Sequence, residues 1–148
     1  MALGSNLGDR RGHLDYAVSR LADVFDRLRV SLAVETVPVN VVGEQPDFLN
    51  GAVAGETTLT ARALLDTLLA IERDRGRERP FAGAARTLDL DLILFGDHII
   101  DEPGLIVPHP RFRERRFVLE PLAEIAPDMV DPVTGRTVEE LLNAMANG

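Results

Sequence analysis

Apolar residues recur along the chain in two periods, and the switches between those periods divide it into helices and strands. Leu14, Val18, Leu21, Phe25 and Leu28 fall at three- and four-residue spacing, which predicts an amphipathic helix from Asp9, its N-cap, to about Leu28. Val30 to Val39 is β-branched and alternating, hence a strand, and Pro38 marks its end or an edge. Val41 to Pro46 reads as a loop and Phe48 to Ala54 as the next strand. Thr60 caps a second helix whose apolar stripe is Leu64, Leu65, Leu68 and Ile71. Gly76 to Ala85 has no apolar period and reads as a long exposed loop. Thr87 to Phe95 is the most regular strand pattern of all, and Gly96-Asp97 is a two-residue hairpin turn returning through His98-Ile-Ile100. Leu105-Ile-Val107 is a further short strand, and Arg111 to Ile125 mixes a helical turn with apolar packing. Thr137-Val-Glu-Glu140 is a capping box for a last helix ending near Asn147.

The order is strand, helix, two strands, helix, strand, then additions. It matches the split β-α-β unit of ferredoxin-like α+β sandwiches, a mainly antiparallel sheet with helices packed on it. The first strand is short, Met1-Ala-Leu3 running into the turn-rich Gly4-Ser-Asn-Leu-Gly8. At 148 residues, with no repeat or linker-like stretch, the expectation is one domain over 1–148.

Charge and composition narrow the chemistry. The chain has no cysteine, which excludes disulfides, thiolate catalysis and cysteine-bound zinc and fits a cytoplasmic location. No apolar run nears the roughly 18 residues that span a bilayer, so no membrane partner is expected. All 16 basic residues are arginine, which removes a P-loop lysine, a Schiff base and a lysine general base. What remains is the guanidinium fork, suited to bidentate phosphate contacts. Arg73, Arg75, Arg77, Arg79 and Arg86 cluster in one stretch and Arg111, Arg113, Arg115 and Arg116 in another, in a chain of net charge −8. That distribution does not suit coating a nucleic acid and suits a small polyanion. Solvated helix faces, with Glu72, Asp74 and Glu78 as partners, are the alternative.

In Leu88-Asp-Leu-Asp-Leu-Ile-Leu94 the strand period puts Leu88, Leu90, Leu92 and Leu94 on one face, the core. Asp89, Asp91, Ile93 and Phe95 take the other. Two carboxylates about 6.6 Å apart along a strand repel by about 2.5 kcal/mol at an effective dielectric near 20. Such a pair calls for a cation between its members. Oxygen-only donors select a hard ion such as magnesium, and two metals bridged by carboxylates and phosphates are a known phosphoryl-transfer design. A solvated edge strand with incidental acids is the alternative.

Four motifs, Gly4-Ser-Asn-Leu-Gly8, Gln45-Pro-Asp-Phe-Leu-Asn50, Arg86-Thr-Leu-Asp-Leu-Asp-Leu92 and Val107-Pro-His-Pro110, occur in this order. Together they resemble the 6-hydroxymethyl-7,8-dihydropterin pyrophosphokinase family of folate synthesis, from the first glycine to about Asp128. The resemblance implies a ferredoxin-like α+β fold and transfer of pyrophosphate from ATP to the pterin hydroxymethyl group, with release of AMP. It implies that Asp89 and Asp91 hold a pair of magnesium ions bound with ATP, and that Arg77 and Arg86 are catalytic. It places Glu72, Arg79, Arg86, Leu92, His109 and Arg115 at the nucleotide. It places Thr36, Val37, Pro38, Val39, Phe48, Asn50 and Phe117 at the pterin, the two aromatics sandwiching the ring and Asn50 bonding its edge. ATP and the pterin are thus the expected partners, and a monomer the expected state. A non-catalytic ferredoxin-like module binding a small ligand is the alternative, as is another phosphotransferase using the same acidic pair. Core packing for Phe48 and Phe117, a turn for Asn50 and loop shaping for His109 are the corresponding structural readings.

Overall fold

Five strands pair antiparallel into one sheet: β1 (Ala2–Ser5), β2 (Asp26–Val30), β3 (Val34–Thr36), β4 (Phe48–Glu56) and β5 (Asp89–Asp91). The order is β2-β4-β1-β5, with β3 also on β4. Helix α1 (Arg10–Leu21) joins β1 to β2, and α2 (Ala61–Arg75) lies between β4 and β5. A small hairpin of β6 (Ile100–Glu102) and β7 (Leu105–Val107) follows, then a single 3-10 turn (Phe112–Glu114), α3 (Arg116–Ile125) and α4 (Val138–Asn147). The computed structural model describes residues 1–5, 9–36, 48–75 and 88–147. The fold class is α+β, as expected.

Local chemistry sets the helix starts. Asp9 accepts from the Gly12 N–H at 3.1 Å, Thr60 from the Ala63 N–H at 3.1 Å, and the Thr137–Glu140 box closes reciprocally at 3.1 and 2.9 Å. Each satisfies N–H groups that a helix leaves open, worth about 1 kcal/mol per cap.

The alternation along β4 and β1 divides the core in two. Leu3, Leu49, Val53, Leu88, Leu90 and Leu92 pack against Leu14, Ala17 and Leu21 of α1 and Leu64, Leu68 and Ile71 of α2. On the opposite face Ala52 and Ala54 meet Phe112, Val118, Leu119 and Leu122, with Val138 and Leu141 of α4 behind them. Alanine on that face lets α3 lie close to the sheet.

Four expectations need correction. The first helix stops at Leu21, not Leu28; Phe25 and Leu28 still pack on the first core, but from the turn and from β2. The expected strand from Val30 is two strands: β2 starts earlier, at Asp26, bulges with Arg27 at φ 54°, and β3 resumes at Val34. Strand β5 is only Asp89–Asp91, and alternation fails beyond it, since Ile93 and Leu94 both enter the second core. The Gly96-Asp97 turn forms, with the His98 N–H on the Phe95 carbonyl at 3.0 Å, but the chain then pairs β6 with β7 and does not fold back on β5.

Candidate functional site

Register across the sheet assembles the expected site residues. Gly4 of β1 stands opposite Asn50 on one side and Asp89 on the other, while Ala2 stands opposite Ala52 and Asp91. Farther out, Val34 is opposite Asn50 and Thr36 opposite Phe48. Residues directly opposite share a face, so Thr36, Phe48, Asn50, Asp89 and Asp91 all lie on the side that carries α3. With neighbouring strands about 4.8 Å apart, the backbones of Asn50 and Asp89 are about 10 Å apart, with Gly4 midway. A Cβ on Gly4 would come within 3.1 Å of Asn50 Oδ1 and 3.8 Å of Phe48 Cδ1. The glycine therefore lets the Asn50 amide and the Phe48 ring lean in over β1.

Asp89 and Asp91 are half-buried, and Leu90 between them is in the core. The Leu90 N–H points off the sheet edge and donates to Glu72 Oε2 at 2.8 Å. A carboxylate from α2 thus grips the backbone between the two aspartates. The side chain of Leu92 is also in the core, so only its main-chain groups can face a ligand.

His109 is tied to the extension of β5: its N–H donates to the Ile93 carbonyl at 2.9 Å. Its Nδ1 accepts the Arg111 N–H at 3.2 Å, which leaves Nε2 to carry the proton of the neutral ring. Burial first, then the Arg115 and Arg111 charges, hold its pKa below the ordinary value, with Asp89 pulling the other way. His109 is thus a neutral donor set among Asp89, Arg111 and Arg115. Phe117 opens α3, 36% exposed, with the Arg115 guanidinium 5.7 Å from its ring centre.

The arginine clusters separate by role. Arg113 forks onto Asp131 and Arg116 pairs with Glu120 at 3.0 Å, both within the fold. Arg75 donates to His13 Nδ1 at 2.8 Å and lies over Tyr16, whereas Arg111 and Arg115 stay beside His109. Arg77, Arg79, Arg86, Val37, Pro38 and Val39 lie outside the described residues. Sequence reasoning missed the Glu72 grip on Leu90, which has no local signature, and the close approach of Asn50 to Gly4, which a glycine in a strand does signal.

Among the described residues no group of three or more His, Cys, Asp or Glu converges on a metal position. Two half-buried carboxylates on one face, beside the small Ala2 and Gly4, fit a hard cation whose other ligands come from phosphate oxygens and water. A cavity of about 330 Å³ lies toward the end of β4, lined by Met1, Phe25, Val53, Phe95 and Met129, and of the expected site residues only Leu92 borders it. No helix among the described residues is long and apolar enough to cross a membrane.

Comparison with known proteins agrees. Relatives named 2-amino-4-hydroxy-6-hydroxymethyldihydropteridine pyrophosphokinase are 43% identical in Pseudomonas aeruginosa, over 97% of this chain and 89% of the relative. The Synechocystis relative is 43% identical over 96% and 73%, and that of Bacillus subtilis 42% over 95% and 84%. These are enzymes by name, so the non-catalytic module is not favoured. The profile described as 7,8-dihydro-6-hydroxymethylpterin-pyrophosphokinase matches residues 1–127, and the chain belongs to that family, the pyrophosphokinases of folate biosynthesis.

Proposed function

We propose that this chain transfers the terminal pyrophosphoryl group of ATP to the hydroxymethyl oxygen of 6-hydroxymethyl-7,8-dihydropterin. The oxygen attacks the β-phosphorus, the bond from that phosphorus to the α-β bridging oxygen breaks, and AMP leaves. The hydroxyl proton passes to solvent. The observation that carries the reading is the row Asn50–Gly4–Asp89 on one sheet face. It sets an amide for a heteroaromatic edge and a carboxylate for a metal about 10 Å apart, with a glycine strand position between them.

Asp89 and Asp91 would hold a pair of magnesium ions, which would neutralise the triphosphate and draw charge from the leaving oxygen. Phe48 and Phe117 grip the flat pterin, and Asn50 selects its edge, with Thr36, Val37, Pro38 and Val39 completing the pocket. His109, through Nε2–H, and Arg115 donate to phosphate oxygens, Glu72, Arg79 and the Leu92 backbone hold the nucleoside side, and Arg77 and Arg86 stabilise the transferred group. Such transfer needs positioning and spread positive charge more than covalent help. A single-domain cytoplasmic monomer completes the reading, with mass by light scattering as its check.

The test is product analysis with Mg-ATP and the pterin. AMP and pterin diphosphate in equal amounts are expected. ADP as the nucleotide product, or no pterin product at all, would refute the assignment.

A further inference from the structure

Asp131 is fully buried, and its carboxylate accepts donors from its own loop and from Arg113. Oδ2 accepts Arg113 Nε at 2.5 Å and Thr134 Oγ1 at 2.8 Å. Oδ1 accepts Arg113 Nη2 at 2.9 Å and the Val133 N–H at 3.1 Å. Its backbone closes the same turn, N–H to the Arg136 carbonyl at 2.8 Å and carbonyl from the Gly135 N–H at 2.8 Å. A loop after α3 is thereby folded around one carboxylate, and that carboxylate is offered to a guanidinium in the 3-10 turn.

Arg113 stands at the middle of the segment from His109 to Arg115. The segment is anchored by the His109 N–H on Ile93, by the fully buried Phe112, by the fork of Arg113, whose guanidinium also covers the Phe112 ring at 4.8 Å, and at its end by the Arg115 carbonyl, which accepts the Val118 and Leu119 N–H groups at 3.0 Å. A bidentate fork fixes angle as well as distance, which a point contact does not. Phe117 lies within α3, carried by Val118, Leu119 and Leu122 in the second core, whereas the Arg115 side chain leaves the chain before the helix, next to the turn that the fork holds.

We propose that Asp131 is a positioning residue for the nucleotide half of the site: through Arg113 it sets where His109 and Arg115 stand, leaving the pterin half to α3. The proposal rests on the nucleotide reading of His109 and Arg115 given above. Loss of the fork frees the 3-10 turn to shift, and a misplacement of about 1 Å can cost about 100-fold.

The experiment compares the unsubstituted chain, Asp131→Asn and Arg113→Lys. Mg-ATP binding without pterin is measured by calorimetry, the pterin KM at saturating ATP, and the folded state by circular dichroism. Asp131→Asn is expected to weaken Mg-ATP binding about tenfold or more and to leave the pterin KM within about twofold. Arg113→Lys keeps the charge and loses the fork, so it shifts in the same direction by less. The double variant is no worse than Asp131→Asn alone, since both act through one contact. A merely destabilised protein would lower the active fraction and leave both constants of its folded fraction alone. Unchanged Mg-ATP binding in a folded Asp131→Asn, or equal losses for both substrates, overturns the proposal. If Asp131→Asn does not fold, unchanged binding in Arg113→Lys overturns it equally. If the unsubstituted chain itself fails to bind Mg-ATP, the nucleotide reading falls first and this inference with it.

Discussion

Replacing Glu72 by alanine tests how the acidic strand is held. Strand β5 is three residues long, and among the described residues β1 is its ladder neighbour. On its other edge the buried Leu90 donates its N–H to Glu72 Oε2 at 2.8 Å. A hydrogen bond to a charged group contributes about 1.5–3 kcal/mol, and an abandoned buried donor costs about 1–3 kcal/mol. Glu72 is half-exposed, so the low end applies, about 1.5 kcal/mol. For a chain of this size that lowers Tm by roughly 3–6 °C. It also speeds amide exchange at Leu90 about tenfold through local opening of the edge. Glu72→Gln keeps an acceptor oxygen in place and should lose about half as much. Turnover should fall in the same order, since the spacing of Asp89 and Asp91 depends on the strand between them. The assay is amide exchange followed at Leu90, beside thermal melts. If Leu90 exchanges at the same rate in Glu72→Ala as in the unsubstituted chain, the grip on the strand is not what Glu72 supplies.

Asp89→Asn and Asp91→Asn should each abolish turnover, by about 100-fold or more, with the fold retained by circular dichroism; near-normal activity in either would contradict the metal assignment. Gly4→Ala should raise the pterin KM about tenfold and cost about 1–3 kcal/mol of stability, since the new Cβ lies 3.1 Å from Asn50 Oδ1 and displaces the amide; separate titrations with pterin and Mg-ATP check it, and an unaltered pterin KM counts against the role of Asn50 at the pterin edge. His109 should make stability pH-dependent. Its folded pKa lies below the ordinary histidine value of about 6.5, so from there downward the unfolded chain takes a proton that the folded one refuses. Stability is therefore lost as pH falls through that window, and urea midpoints from pH 7.5 to 5.5 should decline less steeply in His109→Gln; identical slopes would remove the histidine from the account.

Much of this was legible along the chain. Asp9, Thr60 and Thr137 capped the helices they were expected to cap, because a cap is a bond within four residues of its own sequence. The Asp-Leu-Asp alternation held where β5 forms, and Leu90 is in the core. Elsewhere local pattern misled. Phe25 and Leu28 continue a helical spacing, yet pairing of Asp26–Val30 with β4 prevailed over one more helical turn. Leu94 keeps the parity of Leu88 to Leu92, but past Asp91 the chain leaves the β1 ladder and the period of two loses its meaning.

What the amino-acid order determined by itself is what short-range chemistry can encode: the caps, the leucine face, the paired acids and the absence of lysine and cysteine. What only tertiary structure decided is register. No local rule aligns Gly4 with both Asn50 and Asp89, turns Glu72 onto the Leu90 amide, or sorts Arg113 into a fork with Asp131 while Arg115 stays at the site. Those pairings join residues far apart in the chain, and they are chosen by which packing of the whole sheet and its two cores buries the most apolar surface with its polar groups satisfied.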